Sequence, residues 1–214
     1  MTIFICGDST AASYPPESAP ITGWGQVLGE FTGGVPVDNR AVAGRSSKSF
    51  LGEGRLQAIE TVLSPGDLLL VQFAHNDESP LVWRHTDPWT SYYRCLEIFA
   101  DTAMLHGARP VMMTPVCLRL WRDGKPAASH GDYPDAVRAL AAQKNLPLVD
   151  LYAESLRAVR EAGEEESKKY FLHIEKGVYP AYPEGREDDA HTRRAGAEVF
   201  ARLTAEALRS LGLI

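Results

Sequence analysis

Five positions far apart in the chain carry groups that together can break an ester: Ser9, Gly44, Asn76, Asp188 and His191. A serine hydroxyl is a weak nucleophile until a neighbouring imidazole takes its proton, and the imidazole needs a carboxylate to hold its tautomer. Donors must also meet the oxyanion formed when the carbonyl is attacked. Ser9, His191 and Asp188 supply nucleophile, base and acid, and the Gly44 and Asn76 pair supplies donors. The order Ser…Asp…His is that of α/β-hydrolases, but the G-x-S-x-G elbow is missing and the acid and base are three residues apart. The triad logic fits; the α/β-hydrolase fold does not.

Each of these residues also has a plainer reading. Ser9 can cap a helix or turn, Gly44 can serve a positive φ, and Asn76 can close an Asx turn. Asp188 and Asp189 precede the last helical pattern, where acids favour the positive end of the macrodipole. His75 is a competing base, although its place beside Asn76 suits a supporting hydrogen bond better. Asp77 belongs to that turn or orients its neighbours. Asp8 would suit a dehalogenase-like phosphatase only with a second acid two residues on, where the chain has Thr10. Arg45 reads as a structural clamp or a substrate contact. His85, His106, His130 and His173 show no ligand spacing such as H-x-x-x-H, so no metal is expected.

These side chains need a scaffold that gathers them at one edge. Ile3-Phe4-Ile5-Cys6 is a continuous apolar run that stops at Gly7-Asp8-Ser9, the pattern of a buried parallel strand. Similar runs are expected at Val35 to Asn39, Asp67 to Phe73, Pro110 to Thr114 and Leu146 to Asp150. Three of them lead into polar loops: Asp8-Ser9, Gly44-Arg45-Ser46 and His75-Asn76-Asp77. Helical spacing runs over Leu56–Leu63, Thr90–Leu105, Tyr133–Lys144, Leu151–Ala162 and Thr192–Leu211. Strands alternating with helices predict a parallel sheet with helices on both faces. Ligands of such sheets sit beyond the carboxyl ends of the strands, where Ser9 stands. Residues 1–214 are expected to form one α/β/α domain.

Composition narrows the partners. A net charge of −6 with no basic stripe argues against nucleic acid and acidic membrane surfaces. No run approaches the ~18 apolar residues that span a bilayer. Cys6, Cys95 and Cys117 lie in apolar settings, far apart and odd in number, and are expected to be buried free thiols in a reducing compartment. The opening strand leaves no space for a leader, so the expected location is cytoplasmic, or outside the cell if a leader has been removed.

Taken in order, four blocks resemble those of the SGNH (GDS-motif) hydrolases, and among them the rhamnogalacturonan acetylesterase-like carbohydrate esterases. The blocks are Gly7-Asp8-Ser9-Thr10, Asn39 through Ser47, Gln72-Phe73-Ala74-His75-Asn76-Asp77, and Asp188-Asp189-Ala190-His191 with Gly196-Ala197. Gly131-Asp132-Tyr133-Pro134 and Tyr182-Pro183-Glu184-Gly185 also look like this subgroup. The resemblance implies a flavodoxin-like sheet of mostly five parallel strands, with Ser9 as nucleophile and no metal or organic cofactor. It implies an oxyanion hole made of the Ser9 and Gly44 backbone N–H groups and the Asn76 amide. It also selects Asp188 over Asp189, because the family's acid lies three residues before its histidine. Ala74 departs from the usual glycine of the third block, a methyl expected to be tolerated.

The implied reaction is removal of O-acetyl groups from pectin- or rhamnogalacturonan-derived oligosaccharides. Trp24, set between glycines near Ser9, and Trp83 are candidate faces for sugar stacking. The tyrosine- and charge-rich loop Tyr170 to Arg186 also favours a sugar. The alternatives are a lipid, thioester or aryl esterase, which would need an apolar acyl channel, and a non-catalytic carbohydrate-binding relative on the same fold.

Overall fold

The computed structural model describes the whole chain, Met1–Ile214. Its strands are β1 (Ile3–Gly7), β2 (Val37–Asn39), β3 (Leu68–Gln72), β4 (Arg109–Met113), a small hairpin of β5 (Trp121–Arg122) and β6 (Lys125–Pro126), and β7 (Leu148–Val149). One sheet runs in the order β2-β1-β3-β4-β7 with every neighbouring pair parallel. This is the flavodoxin-like order, and its crevice opens where the winding reverses, between the carboxyl ends of β1 and β3. Asp8-Ser9 leaves β1 on one side of that crevice. His75-Asn76 follows β3 on the other.

Helices cover both faces: α1 (Trp24–Val27), α2 (Ser47–Gly52), α3 (Arg55–Glu60), α4 (Tyr93–Leu105), α5 (Tyr133–Lys144), α6 (Leu151–Ala162) and α7 (Arg194–Ser210). Because side chains alternate along a strand, β1 feeds two cores. Ile3 and Ile5 join Leu68, Leu70 and the Phe200 side of α7. Phe4 and Cys6 face the other way, towards Phe50, Phe73 and Phe99. Those three rings pack at centroid separations of 5.4 to 5.8 Å. Burial on both faces is why the strands read as unbroken apolar runs. No helix is long and apolar enough to cross a membrane.

The differences from expectation fall at ends and short elements. β2 and β7 are the sheet's edges and are shorter than the apolar runs around them, because only residues with a ladder partner extend a strand. The helix over Leu56–Leu63 is cut to Arg55–Glu60. The helix expected from Thr90 opens as a wide turn, with the Tyr92 N–H reaching the Asp87 carbonyl at 3.0 Å. Helix α2 has no periodic signal of its own. It is held by Ser46, whose hydroxyl accepts the Ser49 N–H at 3.1 Å while Ser49 accepts the Ser46 N–H at 2.9 Å. Cys6 and Cys117 are buried free thiols, but Cys95, in the first turn of α4, is half-buried rather than enclosed.

Close backbone approach sets the loop behind Ser9. A Cβ at Gly23 would meet the Ala12 carbonyl oxygen at 2.2 Å and the Ala11 carbonyl carbon at 2.6 Å. By contrast, a Cβ at Gly52 has nothing within 4 Å. Gly23→Ala should therefore destabilise by about 1–3 kcal/mol in urea unfolding, whereas Gly52→Ala should be neutral or mildly stabilising. Equal effects would refute the close-approach account.

Candidate active site

The turn after β1 is built by a buried acid. Asp8 has no exposed surface, and its Oδ1 accepts from the Thr10 N–H at 2.9 Å and the Thr10 hydroxyl at 2.8 Å. The Asp8 carbonyl accepts the Ala11 and Ala12 N–H groups at 3.2 and 3.1 Å. Asp8 Oδ2 lies 3.2 Å from His75 Nδ1, a link between the loops after β1 and β3. Burial pushes the Asp8 carboxyl up, but the His75 charge and the hydrogen bonds outweigh it and hold Asp8 below the usual range. Burial pushes the His75 ring down, and the Asp8 charge more than restores it. Ser9, the residue after Asp8, therefore sits on a turn that has little freedom.

Ser9 Oγ lies 3.0 Å from His191 Nε2, and His191 Nδ1 lies 2.9 Å from Asp188 Oδ2. Asp188 Oδ1 accepts the N–H groups of Ala190 and His191, both at 2.9 Å. Although burial raises the Asp188 carboxyl, these bonds and His191 hold it well below the carboxylate range. A carboxylate offers only lone pairs, which assigns the imidazole proton to Nδ1 and leaves Nε2 to accept from Ser9. The histidine segment is clamped on both sides. The Leu172 N–H donates to the His191 carbonyl at 2.8 Å, and the Thr22 N–H donates to the Thr192 carbonyl at 2.9 Å.

Three residues with free or partly free N–H donors line the cavity beside Ser9. Gly44 has φ of 80° in the turn closed by the Arg45 N–H on the Val42 carbonyl at 3.3 Å, a conformation glycine takes without strain. The backbone N–H groups of Ser9 and Gly44 donate to no other group of the chain. Asn76 Nδ2 donates to the Arg45 carbonyl at 3.1 Å, which uses one amide hydrogen and leaves the second. Ser9, Gly44, His75, Asn76, Arg84 and His191 line one cavity of about 480 Å³. Ala74, two residues before Asn76, holds φ of 153°, a region that glycine alone populates freely. Its methyl is accommodated and the backbone bears the strain.

The remaining expected site residues divide. Asp8 and His75 support the Ser9 turn from below. Arg45 is a clamp: its guanidinium binds Glu53 at 3.1 Å and the Ala43 carbonyl at 2.9 Å, which ties down the Gly44 turn. Trp24 must be corrected. It is 0% exposed, with its indole N–H donating to Gln72 Oε1 at 2.8 Å, and so cannot stack on a sugar. Its flanking glycines mark close backbone approach, not an open face. Trp83 is 54% exposed. Asp189 is occupied elsewhere, by Arg119 at 2.9 Å and His173 at 2.8 Å. Asp77 is buried and ties α2 to the next loop through Ser47 and Thr86, and burial pushes its carboxyl up to about 6. No cluster of His, Cys, Asp or Glu is arranged to hold a metal ion. Sequence reasoning missed Arg84, whose Nη1 donates to Asn76 Oδ1 at 2.9 Å. Nothing in a Leu-Val-Trp-Arg loop signals that contact.

Comparison with known proteins identifies the family. The model of the GDSL-like Lipase/Acylhydrolase family matches residues 5–199. The chain belongs to this family. It is 44% identical to rhamnogalacturonan acetylesterase RhgT of Bacillus subtilis (strain 168), over 99% of this chain and 90% of that protein. It is 39% identical to the probable rhamnogalacturonan acetylesterase YesY of the same strain, over 99% of this chain and 94% of that protein. Among solved structures, the crystal structure of Bacillus subtilis YxiM superposes with a TM-score of 0.82 at 27% identity. That superposition covers 99% of this chain and 56% of the YxiM chain. As a member of this family, the chain has its Gly7-Asp8-Ser9 turn on the β1 side of the crevice.

Replacing the acid tests the proton assignment. Asp188→Asn should lower kcat by about 10⁴ while the chain stays folded, because the imidazole would lose its tautomer. The same carboxylate sets a pH dependence. Its folded pKa lies below the ordinary 3.8, so its contribution to stability is complete above that value and is lost as pH falls through the folded one. Urea unfolding at neutral and at strongly acid pH should thus differ less in Asp188→Asn than in the native chain. An unchanged difference would contradict this.

Proposed function

We propose that the protein is a serine acetylesterase acting on O-acetylated oligosaccharides of the rhamnogalacturonan type. The observation that supports it most is the row Ser9 Oγ, His191 Nε2, His191 Nδ1, Asp188 Oδ2, with spacings of 3.0 and 2.9 Å, opening into a small cavity between unpaired donors. Ser9 Oγ attacks the ester carbonyl carbon as His191 Nε2 takes its proton. The oxyanion is met by the N–H groups of Ser9 and Gly44 and the second N–H of Asn76. The imidazolium, held by Asp188, returns the proton to the sugar oxygen, which leaves as an alcohol. Water then attacks acetyl-Ser9 by the same route and acetate departs.

The acyl and sugar classes rest on two supports. The cavity lining is mostly polar, with Leu118 its one large apolar side chain, so it offers no channel for a long acyl group. The two relatives named above are a rhamnogalacturonan acetylesterase and a probable one. A lipid or thioester substrate would want the apolar channel that is missing, and a purely binding role would leave the Ser9–His191–Asp188 row without a use. The proposed partners are acetylated oligosaccharides.

Acetate release tests the reading. Acetylated rhamnogalacturonan oligosaccharides should be deacetylated at higher kcat/KM than acetylated xylooligosaccharides, and p-nitrophenyl acetate should be cleaved far faster than the octanoate. Preference for the octanoate would overturn the acyl assignment. Equal rates on both sugars would overturn the rhamnogalacturonan assignment alone.

A further inference from the structure

Arg84 is the one cavity-lining cation with no acid for a partner. Its Nη1 donates to Asn76 Oδ1 at 2.9 Å, its guanidinium carbon stands 5.3 Å from the centre of the Trp83 ring, and its Nε is buried with no acceptor. Glu78 lines the same cavity but is turned to His130 at 3.1 Å. Arg45, Arg119 and Arg138 each pair with a carboxylate. This one is spent on a neutral amide instead.

We infer that Arg84 is the positioning residue of the oxyanion site, acting on the reaction through Asn76; this rests on the oxyanion role proposed above. A side-chain amide can sit either way round, and two contacts decide between them. The Arg45 carbonyl only accepts and so demands Nδ2. The Arg84 guanidinium only donates and so demands Oδ1. Turning the amide over would set donor against donor and acceptor against acceptor. With Arg84 in place, the second Nδ2 hydrogen keeps one direction. A charge-assisted bond to Oδ1 also draws density from the amide nitrogen, which makes that hydrogen a better donor. The guanidinium charge, unpaired in the resting site, is answered only when negative charge develops beside Asn76. Such an interaction belongs to the transition state and not to the bound ester. It therefore acts on kcat, not KM.

Trp83 completes the device. Its ring lies against the guanidinium and confines the long side chain, so the donor is ordered before substrate arrives. The ordering of neighbours in sequence is part of this: Trp83 and Arg84 reach the site together on one loop.

The test is a double-mutant cycle on p-nitrophenyl acetate with Arg84→Met, which keeps the apolar stem but has no donor, and Asn76→Ala. Asn76→Ala alone should cost about 10²–10³ in kcat. Arg84→Met should cost about 10–10² in kcat with KM changed less than about twofold, and should cost little more when Asn76 is already alanine. Arg84→Lys, which restores a charged donor, should recover part of the loss, and serves in the same cycle should the methionine chain fail to fold. A KM effect at constant kcat would make Arg84 a substrate contact and overturn the inference. So would an equal loss in both backgrounds. If Asn76→Ala itself left kcat intact, the oxyanion reading would fall first, and that result is distinct from the other two.

Discussion

The contact on which everything else depends is the 3.0 Å approach of Ser9 Oγ to His191 Nε2, between residues 182 positions apart in the chain. A hydrogen bond tolerates only a few tenths of an ångström, so both ends must be fixed by something stiffer than themselves. The parallel sheet provides the coarse placement, since its strands all end at one edge. Fine placement comes from local hydrogen bonds. Asp8 sets the nucleophile's turn from beneath, and the segment before α7 is stitched to Thr22 on one side and Leu172 on the other. Neither end depends on a flexible side chain.

Charge is distributed around this contact with few wasted terms. Asp188 is ionised by its bonds despite burial, and Asp8 likewise through His75. Asp77, without a cation, is pushed the other way by the same burial. The two carboxylates with imidazole partners brace the reacting groups, and the one with hydroxyl partners braces the frame. The same cavity holds one cation without an acid partner, Arg84, beside the Asn76 amide. The site is thus negative behind the imidazole and positive beside Asn76, the polarity that the proposed proton transfer from Ser9 and attack on a carbonyl would both require.

Much of this was legible because it lies at the ends of buried strands. An apolar run that stops at Gly-Asp-Ser or at His-Asn-Asp announces both a strand and a reactive edge, which picks out Ser9 and Asn76, whereas the donor role of Gly44 rests on the company of the other blocks. The acid was separable from its neighbour Asp189 only through the three-residue spacing of a resembling family. What could not be read is tertiary. Arg84 meets Asn76 only because a loop folds back over the edge, and no local pattern encodes that. Flanking glycines suggest an open ring at Trp24, whereas a Cβ at Gly23 would strike the backbone of Ala11 and Ala12 and one at Gly25 the Ala11 carbonyl and the Asn39 side chain. The short helix α2 and the β5–β6 hairpin are below the length at which periodicity speaks.

The most direct measurement is to trap the acyl group. The protein is mixed with p-nitrophenyl acetate, quenched in acid within the first turnover, and mapped by peptide mass spectrometry. The account predicts one acetyl group on the peptide containing Ser9, accompanying a stoichiometric burst of nitrophenolate, with both lost in Ser9→Ala. An acetyl group mapped to another residue, or steady turnover that survives Ser9→Ala, would contradict it.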